Sequence, residues 1–137
     1  LREDFGDEVA DLVDGVTNIV ISPESAAGGF GLAAALRDLR TDLARAGVDV
    51  GDIDLWEVNE AFASMCVSTT RILDIDEDIV NVSGSGCSIG HPVAATGARM
   101  VVSPVHELRR RGGGTGVAAM CAGGGMSTAV VLDVPAT

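Results

Sequence analysis

The sequence is poor in basic residues, in aromatic residues and in long apolar runs. Lysine and arginine number 9 against 20 aspartates and glutamates, which gives a formal net charge of −11 over 137 residues. Phosphate backbones repel so acidic a chain, and we expect neither nucleic acid nor an anionic membrane surface as a partner. No stretch reaches the roughly 18 apolar residues of a membrane span, and no signal-type segment occurs.

Cysteine is also scarce. Cys66, Cys87 and Cys121 form an odd set without a C-x-x-C pair. This pattern argues against a disulfide framework and against a zinc site, so we expect no metal site and a reducing, cytoplasmic location. With aromatic residues at 3%, the core must be aliphatic, and the length is typical of one domain.

Local patterns in the first half of the chain predict alternating strands and helices. After an acidic lead-in over residues 1–13, the β-branched run Val16–Ile21 predicts a strand. Leucines at spacings of four, three and four predict a helix over Leu32–Leu43, with Gly47 as the residue just past its end. Ile53–Val58 alternates and predicts a second strand. A helix is predicted from Glu60 to Leu73, with Phe62, Met65, Thr69, Ile72 and Leu73 on its inner face.

The second half continues this alternation and then changes character. Asn81-Val82 predicts a short strand that leads into the glycine-rich loop Ser83–Gly90. A helix is predicted from His91-Pro92, kinked at Pro104 and followed by a solvated break at Arg109–Gly114. Its inner face is predicted to carry Ala94, Ala98, Val101, Val105 and Leu108. Thr115–Cys121 and Met126–Val134 flank a glycine turn and predict an antiparallel hairpin. The pattern predicts an α/β layered fold whose mostly parallel sheet ends in this hairpin.

Three stretches place reactive or polar side chains beside glycines near the ends of predicted strands, where ligand sites of α/β sheets form. Each has a purely structural alternative when taken singly. Asn59 suits the cap of the following helix, His91 suits a helix start, and Cys121 suits an inert core thiol. The stretches are Glu57–Phe62, Asn81–Pro92 and Cys121–Met126.

Together, the three stretches share a chemical logic. A cysteine beside a histidine can become a thiolate that acts as nucleophile or base. An asparagine can hold a water or a carbonyl oxygen, and glycine amides at a tight turn can point N–H groups at a developing oxyanion. The occurrence of all three stretches in one short chain is far less probable by chance than that of any one of them.

In this order and approximate spacing, the motifs resemble those of the thiolase family. They are Asn-Glu-Ala-Phe from Asn59, Gly-His-Pro from Gly90, Thr-Gly-Ala-Arg ending at Arg99, and Cys-x-Gly-Gly-Gly-Met from Cys121. The similarity runs from about Asp52 to Val134, with a weaker echo at residues 14–24. It implies that residues 1–137 form a thiolase C-terminal domain. Arg99 has a surface or structural ion pair as its alternative reading.

The resemblance implies a role for each matched position. Cys121 would remove a proton from the α-carbon of an acyl-CoA and return one to the leaving carbanion. His91 would activate the nucleophilic cysteine and help to bind the enolate oxygen, while Asn59 would position a water at the same oxyanion hole. The Gly123 amide would belong to a second oxyanion hole. The residues expected near the substrate or CoA are Phe62, Gly90 and Gly124.

The resemblance also implies parts that this sequence does not contain. Thiolases carry the acylated cysteine in an N-terminal half, and neither Cys66 nor Cys87 occupies such a position. We therefore expect an N-terminal thiolase half or a partner subunit, within a homo- or hetero-oligomer. CoA and acyl-CoA are expected as substrates, with no resident cofactor. Ser25–Gly31 is too short for a further inner strand that family members have.

Two other readings stay open at the level of sequence. One is a decarboxylating condensing enzyme of the ketoacyl-synthase type, although Cys121-Ala122-Gly123-Gly124 argues against it. The other is a degenerate thiolase-like subunit that serves only assembly. The absence of the nucleophile favours that second reading, whereas the presence of Asn59, His91 and Cys121 argues against it.

Overall fold

The computed structural model describes residues 40, 43–44, 47–122 and 126–136. The predicted strand Val16–Ile21 and most of the predicted helix Leu32–Leu43 lie outside the described residues. Leu43 and Ala44 are helical, and Gly47 follows with a φ of 73°. The Gly47 N–H donates to the Ala44 carbonyl at 3.1 Å. The predicted place of Gly47, just past the helix end, is therefore confirmed.

Helices and strands alternate as the sequence pattern predicts. The sheet has the order β1-β2-β3, with β1 parallel to β2 and β2 antiparallel to β3. Two short 3₁₀ turns, Val50–Asp52 and Glu77–Ile79, lie in the connections. The elements are β1 (Leu55–Val58), α1 (Ala63–Leu73), α2 (Gly86–Ile89), α3 (Thr96–Arg111), β2 (Gly114–Ala122) and β3 (Met126–Val134). The α/β class and the C-terminal hairpin are confirmed, and the described sheet is mixed.

The sheet separates two apolar clusters, and strand alternation assigns residues to them. On the α1 side, Trp56 and Val58 pack with Leu73, Val117 and Val131. The cluster on the α3 side consists of Leu55, Val105, Leu108, Leu132 and Val134. Because β1 is covered on both faces, its four residues are all buried. The sheet thus forms the middle of three layers, with α1 on one side and α3 on the other.

The predicted strand at Asn81-Val82 is wrong. The chain makes only one isolated parallel bridge beside β1, between Val80 and Trp56. Asn81 then takes a left-handed conformation with a φ of 51°, which ends the extended run. An asparagine tolerates this conformation better than most residues, because its short polar side chain can bond locally.

The inner face predicted for α1 is partly wrong. Phe62 is 72% exposed and Ile72 is 44% exposed, whereas Thr69, Thr70 and Leu73 are buried. The helix begins at Ala63, and Phe62 precedes it in an extended conformation. The predicted starting point at Glu60 therefore assigned Phe62 to a helical face that it does not occupy.

The helix predicted from His91 begins five residues later, at Thr96, and ends at Arg111. Ala94 and Ala98 are exposed, while Val105 and Leu108 are buried as predicted and Val101 packs beside them. The described helices include none that is both long and apolar enough to cross a membrane.

Pro104 lies inside an uninterrupted α3 and is buried against β2. The absence of a side chain at Gly116 makes this close contact possible. A Cβ there would lie 3.0 Å from Leu108 Cδ1 and 3.8 Å from Pro104 Cβ. Gly116 thus lets α3 rest directly on the sheet.

Candidate active site

Asn59 follows the last residue of β1 and is 2% exposed. Its backbone N–H donates to the Ala119 carbonyl at 2.9 Å, which extends the parallel ladder by one bond. Its side-chain Nδ2 lies 3.5 Å from Nε2 of His91. Among the described residues, its buried Oδ1 has no hydrogen-bond partner. The helix-cap interpretation of Asn59 is wrong, because the N-cap of α1 is Phe62.

His91 lies in the loop between α2 and α3, half-buried. Its Nδ1 is 2.7 Å from Oγ1 of Thr96, the first residue of α3. The Thr96 hydroxyl also donates to the Pro92 carbonyl at 3.0 Å. The ring is therefore held from both sides, by Thr96 at Nδ1 and by Asn59 at Nε2.

Cys121 lies next to the end of β2 as a half-buried free thiol. It is two residues beyond Ala119, about 7 Å along the strand from the carbonyl that accepts from Asn59. Alternation puts its side chain on the same face as Ala119, which packs on the α1 side of the sheet. Strand alternation puts the side chain of Asn59 on the opposite face, which it shares with Glu57, and Glu57 faces α3. A shared site therefore requires Cys121 to meet Asn59 and His91 beyond the strand ends.

The remaining predicted site residues differ in how far the structure describes them. Gly123 and Gly124 lie outside the described residues. Phe62 is exposed at the start of α1. Gly90 is exposed, has a φ of 94° and ends α2, where no described atom would meet an added Cβ. At Gly90 the requirement for glycine is therefore conformational, because residues with a side chain rarely adopt this φ.

Glu57 and Arg99 form a buried ion pair that links β1 to α3. The side chain of Glu57 is 3% exposed and that of Arg99 is 21% exposed, with Nη1 donating to Oε1. Arg99 Nη2 also donates to Oγ of Ser85 at 3.1 Å, and this hydroxyl donates to the Val58 carbonyl at 3.0 Å. Burial raises the pKa of Glu57 above its ordinary value, while Arg99 opposes the rise. The structural ion pair, one of the alternatives for Arg99, therefore forms.

Asn81 and Glu60 connect the loop between β1 and α1 with the glycine-rich loop before α2. Neither residue was singled out from the sequence. Asn81 Oδ1 accepts from the Val58 N–H at 2.7 Å, and Nδ2 donates to the Val58 carbonyl at 2.9 Å. The same Nδ2 contacts Glu60 Oε1 at 3.1 Å. Glu60 Oε2 then accepts from the Cys87 N–H at 2.9 Å. An asparagine ahead of a glycine-rich loop was the sequence signal for this junction.

Gly86 permits the closest approach between these loops. A Cβ at Gly86 would lie 2.3 Å from the Glu60 carbonyl oxygen, which is backbone and cannot swing aside. We expect Gly86→Ala to lower the free energy of unfolding by about 2 kcal/mol, because the loop must shift or strain. Urea unfolding of the two proteins measures this change.

Gly51→Ala is the matched control for Gly86→Ala. Gly51 is exposed, and no described atom lies within 4 Å of an added Cβ. We expect its free energy of unfolding to change by less than about 1 kcal/mol. Equal losses in the two variants would show that Gly86 is not a close-packed contact.

A cleft of about 510 Å³ opens beside the loop junction, between α1 and α2. Cys66 and Cys87 both line it, together with Glu60 and Glu77. Burial, then the carboxylates of Glu60 and Glu77, raises the pKa of Cys66. Desolvation and Glu60 likewise raise the pKa of Cys87. A raised pKa reduces the thiolate fraction, so neither cysteine has the surroundings of an activated nucleophile.

The fold and the His91–Asn59 pair place this chain among α/β proteins with a polar site at the carboxyl ends of parallel strands. The family model for the thiolase C-terminal domain matches residues 23–134. The chain therefore belongs to the thiolase family.

Curated relatives carry two kinds of name. A peroxisomal 3-ketoacyl-CoA thiolase of Arabidopsis thaliana is 50% identical over 90 residues, which are 64% of this chain and 20% of the relative. The 3-ketoacyl-CoA thiolase of Bacillus subtilis is 46% identical over 89 residues, or 65% of this chain and 23% of that protein. An acetyl-CoA acetyltransferase of Shinella zoogloeoides is 45% identical over 94 residues, or 69% and 24%. The chain thus spans about a fifth to a quarter of these relatives.

Solved thiolases share the fold. The acetyl-CoA acetyltransferase of Bacillus anthracis superposes with a TM-score of 0.74 at 35% identity, over 86% of this chain and 29% of that one. Human mitochondrial 3-ketoacyl-CoA thiolase in complex with CoA gives a TM-score of 0.75 at 35% identity, over 88% and 30%.

Proposed function

We propose that this chain supplies the His/Asn/Cys half of a thiolase active site. The reaction is CoA-dependent acyl transfer that makes or cleaves the carbon–carbon bond of a 3-ketoacyl-CoA. The observation that carries the proposal is the buried amide of Asn59, 3.5 Å from Nε2 of His91, with Oδ1 unpaired among the described residues. Unpaired buried polar atoms are rare in folded proteins and often mark functional groups or bound water.

Asn59 and His91 would act at the oxygen of the thioester. The unpaired Oδ1 of Asn59 can accept a hydrogen bond from one water, whose other hydrogen then points at an enolate oxygen. Nε2 of His91, once protonated, donates to the same oxygen. Donors that are in place before the charge develops stabilise it without reorganisation, which is the main electrostatic term of acyl-transfer catalysis.

Cys121 is proposed as the acid/base group and Gly123 as a backbone donor of a second oxyanion hole. Cys121 would take a proton from the α-carbon of one acyl-CoA as a thiolate, and return a proton in the cleavage direction. Its position two residues beyond Ala119 supports this role, because Ala119 already bonds the Asn59 backbone.

The proposed substrates are CoA and acyl-CoA, with no resident cofactor. A related human enzyme was solved in complex with CoA. We propose Phe62, Gly90 and Gly124 near the CoA or acyl group, since Phe62 and Gly90 are exposed on the loops that carry Asn59 and His91. Because this chain is acidic, the phosphates of CoA would meet basic groups elsewhere in the protein.

The proposed partners are an N-terminal thiolase half or subunit, which brings the nucleophilic cysteine, within a homo- or hetero-oligomer. The proposed compartment is the cytoplasm. The three free thiols of Cys66, Cys87 and Cys121 suit a reducing compartment. Because one relative is named as peroxisomal, the peroxisome is the alternative compartment. Cell fractionation would distinguish the two.

The direct test is CoA-dependent cleavage of acetoacetyl-CoA by the protein that carries this chain, with and without the nucleophile-bearing half. We expect cleavage only when both halves are present. No cleavage by the complete assembly would favour the non-catalytic subunit and overturn the proposal.

Asn59→Ala tests the role of the buried amide within that assay. We expect kcat for cleavage to fall by about 10- to 100-fold, because the oxyanion loses the water that Asn59 holds. Ser64→Ala, an exposed change near the start of α1, is the matched control and should leave kcat unchanged. An unaltered kcat in Asn59→Ala would exclude Asn59 from the oxyanion hole.

A further inference from the structure

We propose that Thr96 is a positioning residue that fixes the tautomer of His91, keeping a proton on Nδ1 so that Nε2 faces the site as the proton acceptor. The inference rests on the proposed function and deepens it. It concerns a residue of α3 that the reaction itself does not touch, and it assigns a task to the threonine of the Thr-Gly-Ala-Arg motif.

The hydrogen bonds of the Thr96 hydroxyl determine the proton on Nδ1. Oγ1 lies 2.7 Å from His91 Nδ1 and 3.0 Å from the Pro92 carbonyl oxygen. A carbonyl only accepts, so in the contact with Pro92 the hydroxyl is the donor, and with its hydrogen directed there the hydroxyl oxygen has lone pairs left for Nδ1. The bond to Nδ1 is then N–H to oxygen, with the imidazole donating.

The other side of the ring agrees with this assignment. Asn59 Nδ2, which is only a donor, faces Nε2 at 3.5 Å. With the amide N–H directed at it, Nε2 is the nitrogen that presents a lone pair in the uncharged ring. The two neighbours of the imidazole, one just after β1 and the other in α3, specify the same tautomer.

Thr96 is well placed to hold its side chain still. It is 1% exposed, and its backbone N–H donates to the same Pro92 carbonyl at 2.9 Å. The N–H of Ala95 joins that carbonyl at 2.8 Å. The turn between His91 and α3 is thus closed on itself, which fixes the distance from Oγ1 to the ring.

The tautomer determines where the proton of the nucleophile goes. When the thiol is activated, its proton moves to Nε2 and the electron pair of the S–H bond stays on sulfur. The Nδ1–H bond is not broken, because Thr96 offers an acceptor and no second proton. The Nε2 proton then faces the thioester oxygen, and it returns to a departing thiolate when the acyl group is transferred.

Two variants of the complete enzyme separate the hydroxyl from the shape of the side chain. Thr96→Val keeps the shape and removes the acceptor for Nδ1, whereas Thr96→Ser keeps the acceptor. We expect kcat for acetoacetyl-CoA cleavage to fall by about 10- to 100-fold in Thr96→Val, with KM for CoA within about threefold. Thr96→Ser should stay within about threefold of the parent.

Alkylation of the nucleophilic cysteine provides a readout that a purely structural role would not move. The rate with iodoacetamide, expressed per folded site, reports the thiolate fraction. We expect it to fall in Thr96→Val and to be retained in Thr96→Ser. Equal alkylation rates in the parent and Thr96→Val, with only a lower melting temperature, would overturn the proposal.

The same set of measurements distinguishes failure of this inference from failure of the proposed function. A parent assembly without cleavage activity overturns the thiolase function itself. An active parent that His91→Ala inactivates, with Thr96→Val retaining kcat, overturns only the role of Thr96. Equal loss in Thr96→Val and Thr96→Ser also overturns it, because the hydroxyl is then not the important group.

Discussion

Replacing Cys121 by serine should reduce carbon–carbon bond formation by at least about a thousandfold while acylation of the nucleophile continues. Proton abstraction from the α-carbon requires a thiolate, and a serine hydroxyl is far too weak an acid to supply an equivalent base near neutral pH. In the proposed mechanism acylation depends on His91 and the nucleophile, neither of which the substitution alters. Condensation of acetyl-CoA measures the first step, and exchange of labelled CoA into acetyl-CoA measures the second.

Cys87→Ser is the matched control for Cys121→Ser. Its thiol is exposed, and its pKa is raised rather than lowered. Both activities should be retained in this variant. Full condensation activity in Cys121→Ser would remove Cys121 from the reaction, and loss of both half-reactions would instead indicate a disturbed fold around the end of β2.

Arg99→Met should destabilise the protein by about 3 kcal/mol at pH 7. The substitution leaves the Glu57 carboxylate, 3% exposed, without its cation, and an unpaired buried charge is costly. The hydrogen bond to Ser85 is lost as well. Urea unfolding at pH 7 measures the change, and Arg110→Met is the matched control. The Arg110 side chain is 72% exposed in its pair with Glu107, so little measurable loss is expected.

The cost of Arg99→Met should shrink as the pH falls. Burial raises the pKa of Glu57 above its ordinary value of 4.5. A raised carboxyl pKa favours the folded state at low pH, and this contribution is lost as the pH rises through the folded-state pKa. Without Arg99 the pKa of Glu57 rises further, so protonation of the carboxyl removes the unpaired charge at a higher pH than it would in the parent protein.

The double variant Glu57→Gln/Arg99→Met separates charge from packing. It has neither buried charge, so its stability relative to the parent should vary less with pH than that of Arg99→Met. It should also be more stable than Arg99→Met at pH 7. A pH-independent loss in Arg99→Met would show that packing of the arginine stem, rather than its charge, is what the protein needs.

Strand alternation predicted the secondary structure well, whereas the starting residues of the helices were predicted poorly. The alternation in Ile53–Val58 and the two β-type runs around the glycine turn became β1, β2 and β3 within a few residues. The start of α3 was wrong because proline at position 92 is compatible with a first helical turn, yet the chain forms a separate turn there that ends at Thr96. Periodicity could not show that Phe62 lies before its helix.

The motifs predicted which residues would matter, but only part of how they are arranged. His91 and Asn59 do come together. The convergence of Cys121 with them stays a prediction, as do the roles of Gly123 and Gly124. The Glu57–Arg99 pair and the Asn81–Glu60 junction were missed, because their partners are separated along the chain by 42 and 21 residues. No local pattern carries that information.

The order of motifs, the alternation of strands and helices, and the thiolase resemblance are all properties of the sequence alone. They follow from residue types at short spacings, which act through local backbone preference and burial. The contact between His91 and Asn59 and the depth at which Glu57 is buried were decided only by the tertiary packing that brings α3 and the loop before it against the end of β1. Hydrogen-bond direction and desolvation depend on which groups lie within a few ångströms in space, and packing sets that distance.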